Sequence, residues 1–382
     1  MRRLALTLGC LLLVACAPAA PAPTPIPAPP TSAAPANQPV AAQKAPSNPA
    51  GQAPVAAPSP QVSGPRSIKV GSQLTIGLTP MLIAQARGYF NQEGLNVEII
   101  NFTNEAEMVP ALAAGQIDAG LSVSASAALV NAVARAEQIK IVASNGTIKP
   151  HRNIGNIIVR KDLAPASGFL DLKTLTPPIK AAATAEGGLP HAVLILEAEK
   201  AGLKASDITM SYMGLPEMNA ALQSRALDIA ASGEPLISIA EQQGIAVRWR
   251  EMAEDFADVP YSTVVFGPTL LDKDPDGGLR LLRAYLQGAR DYENAFTRNQ
   301  GRDAVVNVLV DPLRTAAPVL QSMQDAGGLA YIDPNGVIDA STLKSALDLW
   351  IRTGLVQSGF EVQRLVDPAP ANAAVLSLGV YK

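Results

Sequence analysis

The sequence predicts an α/β protein of two lobes, each built on a doubly wound sheet, with a helical cap at the C-terminal end. Three observations carry that expectation. Strand and helix patterns alternate in two successive series between residue 66 and about residue 250, and beyond residue 266 the pattern is almost purely helical. Composition also breaks at Arg66, because fifteen of the 32 prolines fall between Ala17 and Pro65 and none of that stretch can enter a packed core. Repeated βαβ units imply parallel sheets covered by helices on both faces. A length of 382 residues leaves room for two such lobes.

Ahead of the lobes lies an address. Met1-Arg2-Arg3 is a positive n-region and residues 4–15 are an apolar h-region. The h-region ends in Leu13-Val14-Ala15-Cys16, the pattern of a bacterial lipobox, so residues 1–15 read as a lipoprotein signal peptide. Cleavage there exposes Cys16 for a thioether-linked diacylglycerol, and two or three acyl chains at roughly 0.8 kcal/mol per buried methylene make a stable membrane anchor. The only other cysteine, Cys10, leaves with the signal, so no disulfide is expected. Residues 16–65 then form a lipidated cysteine and a Pro/Ala-rich tether with a single charge, Lys44. Polyproline II geometry would let it reach on the order of 150 Å, a spacer that holds the lobes clear of the membrane.

The first series runs as follows. Residues 68–76 alternate like a strand; Pro80 suits the first turn of the next helix, where its missing N–H costs nothing. Leu82, Ile83, Ala86, Tyr89 and Phe90 make one apolar stripe at helical spacing, stopped at Gly94. A strand at 96–100, a helix at 105–114, a strand at 117–123, a helix at 125–134 and a buried strand at 139–143 follow. The second series places strands at 179–183, 208–212 and 226–231 and helices at 190–201, 217–224 and 236–243. After a strand at 261–266 come helices at 278–299, 302–310, 315–325 and 340–352.

Composition excludes several classes. A net charge of −3 without a basic block argues against nucleic-acid binding. The longest apolar run, residues 4–15, falls short of the roughly 20 residues that span a bilayer. No G-x-S-x-G, H-E-x-x-H or C-x-x-C is present, and His151 and His191 have no evident nucleophile partner, so catalysis is not expected. Asp272-Lys273-Asp274-Pro275-Asp276-Gly277 imitates a calcium loop, but its twelfth position is Arg283 where a bidentate Glu is required. No cofactor and no metal are expected.

The order of motifs resembles a known family. Thr79-Pro80-Met81-Leu82-Ile83-Ala84-Gln85-Ala86-Arg87-Gly88-Tyr89-Phe90-Asn91-Gln92-Glu93-Gly94-Leu95-Asn96-Val97 resembles the opening of the ABC-importer solute-binding proteins for nitrate, sulfonate, taurine and the thiamine pyrimidine precursor. Ala111 to Gly120 resembles that family's helix–Gly–x–Ile–Asp–strand unit, Ala201 to Ile208 its second-lobe helix end, and Ala226-Leu227-Asp228-Ile229-Ala230 repeats the theme. The resemblance covers residues 68–249 well and the helical tail loosely. It implies a type II periplasmic-binding-protein clamshell, with residues 66–155 in lobe 1, 156–260 in lobe 2 and 261–382 returning to lobe 1 as the cap. Two hinge strands, near 153–159 and 259–264, would close the lobes on one small molecule. The partners implied are a permease and its ATPase, with the chain itself acting as a monomer on the extracytoplasmic face of the cell membrane.

The same resemblance places candidate ligand contacts in strand-to-helix turns: Thr79, Pro80 and Met81; Ser122, Ser124 and Ser126; and Glu186, Gly187, Gly188 and His191. The serines could hold polar groups at a helix N-terminus or simply cap the helix. Sulfonate-binding relatives carry a Gly-Ser-Ser-like loop where this chain has Glu186-Gly187-Gly188, and they often carry Trp-Asp-Pro where it has Gly233-Glu234-Pro235. Glu234 either faces the cleft or caps the next helix. Tyr212 and Tyr261 are stacking surfaces or core. Two carboxylates and a lost hydroxyl loop disfavour a strong anion. They point to a neutral, heteroaromatic or polyhydroxylated vitamin or precursor, riboflavin first and the thiamine pyrimidine second. The alternative is an aliphatic sulfonate, taurine or nitrate.

Overall fold

In β1 (Arg66–Ser72) Ile68 and Val70 are buried while Ser67 and Lys69 face out, the period of a half-covered strand. This is a computed structural model; it describes residues 65–382 except 136–137, 153–154, 166–169 and 326–328. The signal peptide, Cys16 and the tether through residue 64 lie outside the described residues.

β1 stops four residues short of the expected end, and a turn and a 3-10 segment, Ile76–Leu78, lead into α1 (Thr79–Ala86). Pro80 does occupy the first turn of α1. The apolar stripe is broken by Gly88, whose φ of 73° starts a separate short α2 (Tyr89–Gln92). There follow β2 (Leu95–Asn101), α3 (Glu105–Ala113), β3 (Ala119–Val123), α4 (Ala127–Ala134) and β4 (Lys140–Thr147). The chain then crosses to a second sheet: β5 (Gly155–Arg160), β6 (Ile179–Ala183), α5 (Leu189–Lys200), β7 (Ile208–Tyr212), α6 (Leu215–Gln223), β8 (Ile229–Gly233), α7 (Leu236–Gln242) and β9 (Ala246–Glu251). It returns through α8 (Ala253–Phe256) to β10 (Pro260–Phe266) in the first sheet. The tail is α9 (Pro275–Thr297), α10 (Arg302–Val310), α11 (Ala317–Asp325), α12 (Lys344–Arg352) and α13 (Ala369–Leu378).

The two five-stranded sheets have the orders β2-β1-β3-β10-β4 and β7-β6-β8-β5-β9, the same pattern used twice. Neither is purely parallel as expected. β10 runs antiparallel between β3 and β4, and β5 runs antiparallel between β8 and β9. The reason is connectivity: each odd strand is the one that has just arrived from the other sheet. The described parts of the crossings are residues 148–152 and 252–259, next to the two segments expected as hinges. They are tied to each other, since Ile148 N donates to the Val259 carbonyl at 2.9 Å and Asp258 N to the Ile148 carbonyl at 2.8 Å.

The helical tail does not stay on one lobe. α9 packs on α1, while α12 packs on α5 of the second sheet, where Arg352 meets Glu199 at 2.6 Å. The chain then comes back, with Asp367 N donating to the Ile141 carbonyl at 2.8 Å and α13 lying against α9 and β4. Gly288 is required at the α1–α9 contact, because a Cβ there would stand 2.1 Å from the Pro80 carbonyl oxygen.

Candidate functional site

The carboxyl ends of the parallel strands of both sheets face one another, which is where open α/β sheets place ligands. Direct bonds join the two sides: Ala127 N donates to the Gly187 carbonyl at 2.9 Å, and Ile76 N to the Glu234 carbonyl at 3.3 Å. Between them is a cavity of about 30 Å³. From the first sheet it is lined by Gln73, Thr75, Glu105, Ser122, Ser124, Tyr261 and Ser262, and from the second by Thr184, Pro190, Leu215 and Gly233.

Ser122 closes β3 with a φ of 61°, a left-handed backbone that costs a non-glycine residue about 1–2 kcal/mol. Its hydroxyl lies 3.5 Å from both Thr75 Oγ1 and Asn145 Nδ2. Asn145 is itself held, donating to Ser262 Oγ at 2.7 Å and accepting from the Tyr285 hydroxyl at 2.8 Å. Glu105, at the start of α3, is buried on the same side. Its carboxylate accepts from Ser124 N at 2.9 Å, from Ser124 Oγ at 2.7 Å and from Ser126 Oγ at 3.3 Å. Burial pushes this carboxyl up to about 7, against serine bonds that favour the charged form. The hydroxyl of the half-buried Tyr261 is pushed well above its usual range by desolvation and by the charge of Glu105.

On the second side the Glu186-Gly187-Gly188 loop has a job other than donating hydroxyls. Gly187 has a φ of 70°, and a Cβ there would stand 2.4 Å from the Ala127 Cβ. Glycine is what allows the two sides to touch. Gly188 is the N-cap of α5. His191 Nδ1 accepts from Gly187 N at 3.0 Å, so its proton sits on Nε2, 3.5 Å from the Tyr212 hydroxyl. Burial pushes His191 down, keeping it neutral, with Glu186 pulling the other way. The Tyr212 hydroxyl is pushed up to about 12 by desolvation and then by Glu186, onto which it donates.

Ser122, Ser124 and Tyr261 therefore reach the cavity, and Ser126 stands behind it, capping α4 through Leu129 N at 3.3 Å while bonding Glu105. His191, Tyr212, Glu186, Gly187 and Gly188 are not among the residues that line the cavity, although their neighbours Thr184 and Pro190 are. Thr79, Pro80 and Met81 are instead buried in the lobe core under α9, because the turn after β1 comes at residues 73–75 rather than after Ile76. Glu234 does not present a free carboxylate to the cleft: it is fully buried, bonded to Arg248 at 2.6 Å and to Ser238 N at 3.1 Å, and Gly233 lines the cavity in its place. Sequence reading missed Glu105, Thr75, Thr184 and Asn145. An acidic residue in the first turn of a helix is so ordinary that Glu105 carries no signal of its own.

A family model described as the NMT1-like family matches residues 61–310. The chain belongs to the NMT1-like family. Its similarity extends to the putative aliphatic sulfonates-binding protein of Escherichia coli K12, at 24% identity over 80% of this chain and 90% of that protein. Among solved structures it resembles the periplasmic nitrate-binding protein NrtA of Synechocystis PCC 6803, with a TM-score of 0.69, 16% identity and 83% and 90% of the two chains covered. It also resembles the ligand-binding component of an ABC-type import system from Staphylococcus aureus, with a TM-score of 0.66, 16% identity and 81% and 99% covered. At such identities the likeness establishes the fold, that of the periplasmic binding proteins, and the bilobed α/β expectation holds. These relatives are named for binding and import, not for catalysis. Among the described residues of this NMT1-like chain, no cluster of side chains could hold a metal ion and no helix is long and apolar enough to cross a membrane.

Proposed function

We propose that this NMT1-like protein is the extracytoplasmic solute-binding component of an ABC importer and captures a small vitamin or vitamin precursor between its lobes. The observation that carries this reading is the lining of the interlobe cavity, which offers hydroxyls, the Gln73 amide and one carboxylate but no lysine or arginine; at about 30 Å³ the space holds about one water, so the solute enters only as the lobes part. Such a lining suits a solute rich in hydrogen-bonding groups and gives a strong anion no counter-charge. Riboflavin and the thiamine pyrimidine precursor are the first compounds to offer it. A permease and an ATPase would receive the solute, and lipid on Cys16 would keep the protein at the membrane.

The test is a thermal melt of the full chain with riboflavin, flavin mononucleotide, the thiamine pyrimidine, thiamine, taurine, an alkanesulfonate and nitrate. A ligand at a hundred times its dissociation constant adds about 2.7 kcal/mol, a shift of several degrees. A shift with riboflavin, matched by quenching of flavin fluorescence, supports the vitamin reading. The second reading, capture of a sulfonate, taurine or nitrate, draws support from the names of the relatives and from Ser122 and Ser124 at the cavity. A shift with those anions alone replaces the vitamin reading with this one. For the anchor, Cys16→Ala is expected to move the protein out of the membrane fraction, and retention there would refute the lipoprotein reading.

A further inference from the structure

Four glutamates are buried among the described residues: Glu105, Glu197, Glu234 and Glu293. Three of them meet an arginine. Glu197 bonds Arg250 at 3.1 Å, Glu234 bonds Arg248 at 2.6 Å and Glu293 bonds Arg152 at 3.0 Å. Glu105 is the exception: among the described residues no lysine, arginine or histidine forms an ion pair with it. It is also the one of the four that lines the interlobe cavity. A chain that neutralises its other buried carboxylates with cations leaves this one to be neutralised by something else, since an unpaired buried charge is costly.

We infer that Glu105 is the group of the cavity that reads the solute, and that the end of the solute it reads is a protonated nitrogen: an ammonium, an amidinium or a protonated amino-heterocycle. This rests on the solute-capture reading and narrows it: of the two compounds named first it keeps the thiamine pyrimidine and sets aside riboflavin, which carries no protonated nitrogen. Three serine donors occupy the carboxylate, and a carboxylate has about four acceptor positions, which leaves one for the incoming N–H. The serines also fix the plane of the group, so the acceptor is oriented before the ligand arrives. The titratable group beside it is the Tyr261 hydroxyl of β10, a neutral donor. The turns that face it from the second sheet contribute Thr184, Pro190, Leu215 and Gly233, none of them charged. A sulfonate or nitrate would meet a carboxylate with no cation to offset it.

The test is calorimetric titration of the full chain and of Glu105→Gln with thiamine, its aminopyrimidine precursor, agmatine, ethanolamine, riboflavin, ethanesulfonate and nitrate. The expected result is tightest binding by one of the four amine-bearing or amidinium-bearing probes, weakened at least tenfold in Glu105→Gln while the melting temperature stays within a few degrees. Below pH 7 a probe that arrives already charged, such as agmatine or ethanolamine, should displace the proton of the acid form of Glu105 into the buffer, whereas a neutral aminopyrimidine would take that proton itself. Titration in buffers of different ionisation enthalpy reads that release, and Glu105→Gln should show none. A merely structural Glu105 would lose melting temperature and weaken every probe alike, with no change in proton release, and that result overturns the inference. Tightest binding by nitrate or ethanesulfonate, kept in Glu105→Gln, overturns it while leaving solute capture standing. No heat from any probe in either protein overturns solute capture as well.

Discussion

Glu105 makes a prediction about stability that needs no ligand. Its carboxyl holds a proton up to about pH 7 in the folded chain, against an ordinary value of 4.5. Between those values the native state binds a proton that the unfolded state has lost, so this residue's contribution falls as pH rises from about 4.5 to about 7. The shift corresponds to about 3 kcal/mol. Urea midpoints of the wild type and Glu105→Gln, compared from pH 4.5 to pH 8, are expected to diverge in favour of the variant as pH rises. Parallel curves would mean that the carboxylate is not desolvated. Sequence reading overlooked this residue and selected Glu234, because both are acids near a helix start and only the fold shows which one already has an arginine. The same limit applies to Thr79, Pro80 and Met81, whose placement depended on where β1 ends. The place of the serines in the β3–α4 turn could be read from sequence because an apolar strand stops there and a small-residue helix begins.

At the scale of elements, periodicity located most of what it was asked to locate. β6 and β7 fall on the expected residues, and α10 as well. β5 and β9 were not assigned from pattern. β5 holds a short continuous apolar run, Ile157-Ile158-Val159, which shows no alternation to mark it as a strand. β9 interleaves Arg248 and Arg250 with partly covered apolar residues, so its charges read as loop. The antiparallel placement of β5, like that of β10, is a property of crossing between sheets that no local window contains. The α1–α9 contact tests how tightly such elements are fitted. Gly288→Ala must push the two helices apart at the Pro80 carbonyl, an overpacking expected to cost about 1–3 kcal/mol. A thermal or urea melt reads that cost, and an unchanged melt would show that the helices can slide.

At the scale of the whole molecule, the described residues join the lobes at 148–152, at 252–259 and through the excursion that carries α12 onto α5 and back. Two lobes tied at one edge can still separate at the other, and there one of the contacts, Ala127 against Gly187, has room only for a glycine. Gly187→Ala places a methyl group against Ala127 when the lobes meet, and it also pays about 1 kcal/mol for its left-handed backbone. That backbone cost alone would lower the melt of the second lobe slightly and leave ligand affinity untouched. A closure that requires contact between Gly187 and Ala127 predicts a different pair of results. Affinity for the solute that stabilises the wild type should fall tenfold or more, and the radius of gyration measured by X-ray scattering in its presence should stay larger than that of the wild type. If affinity and scattering both match the wild type, closure does not need this contact, and the Ile76–Glu234 side carries it instead.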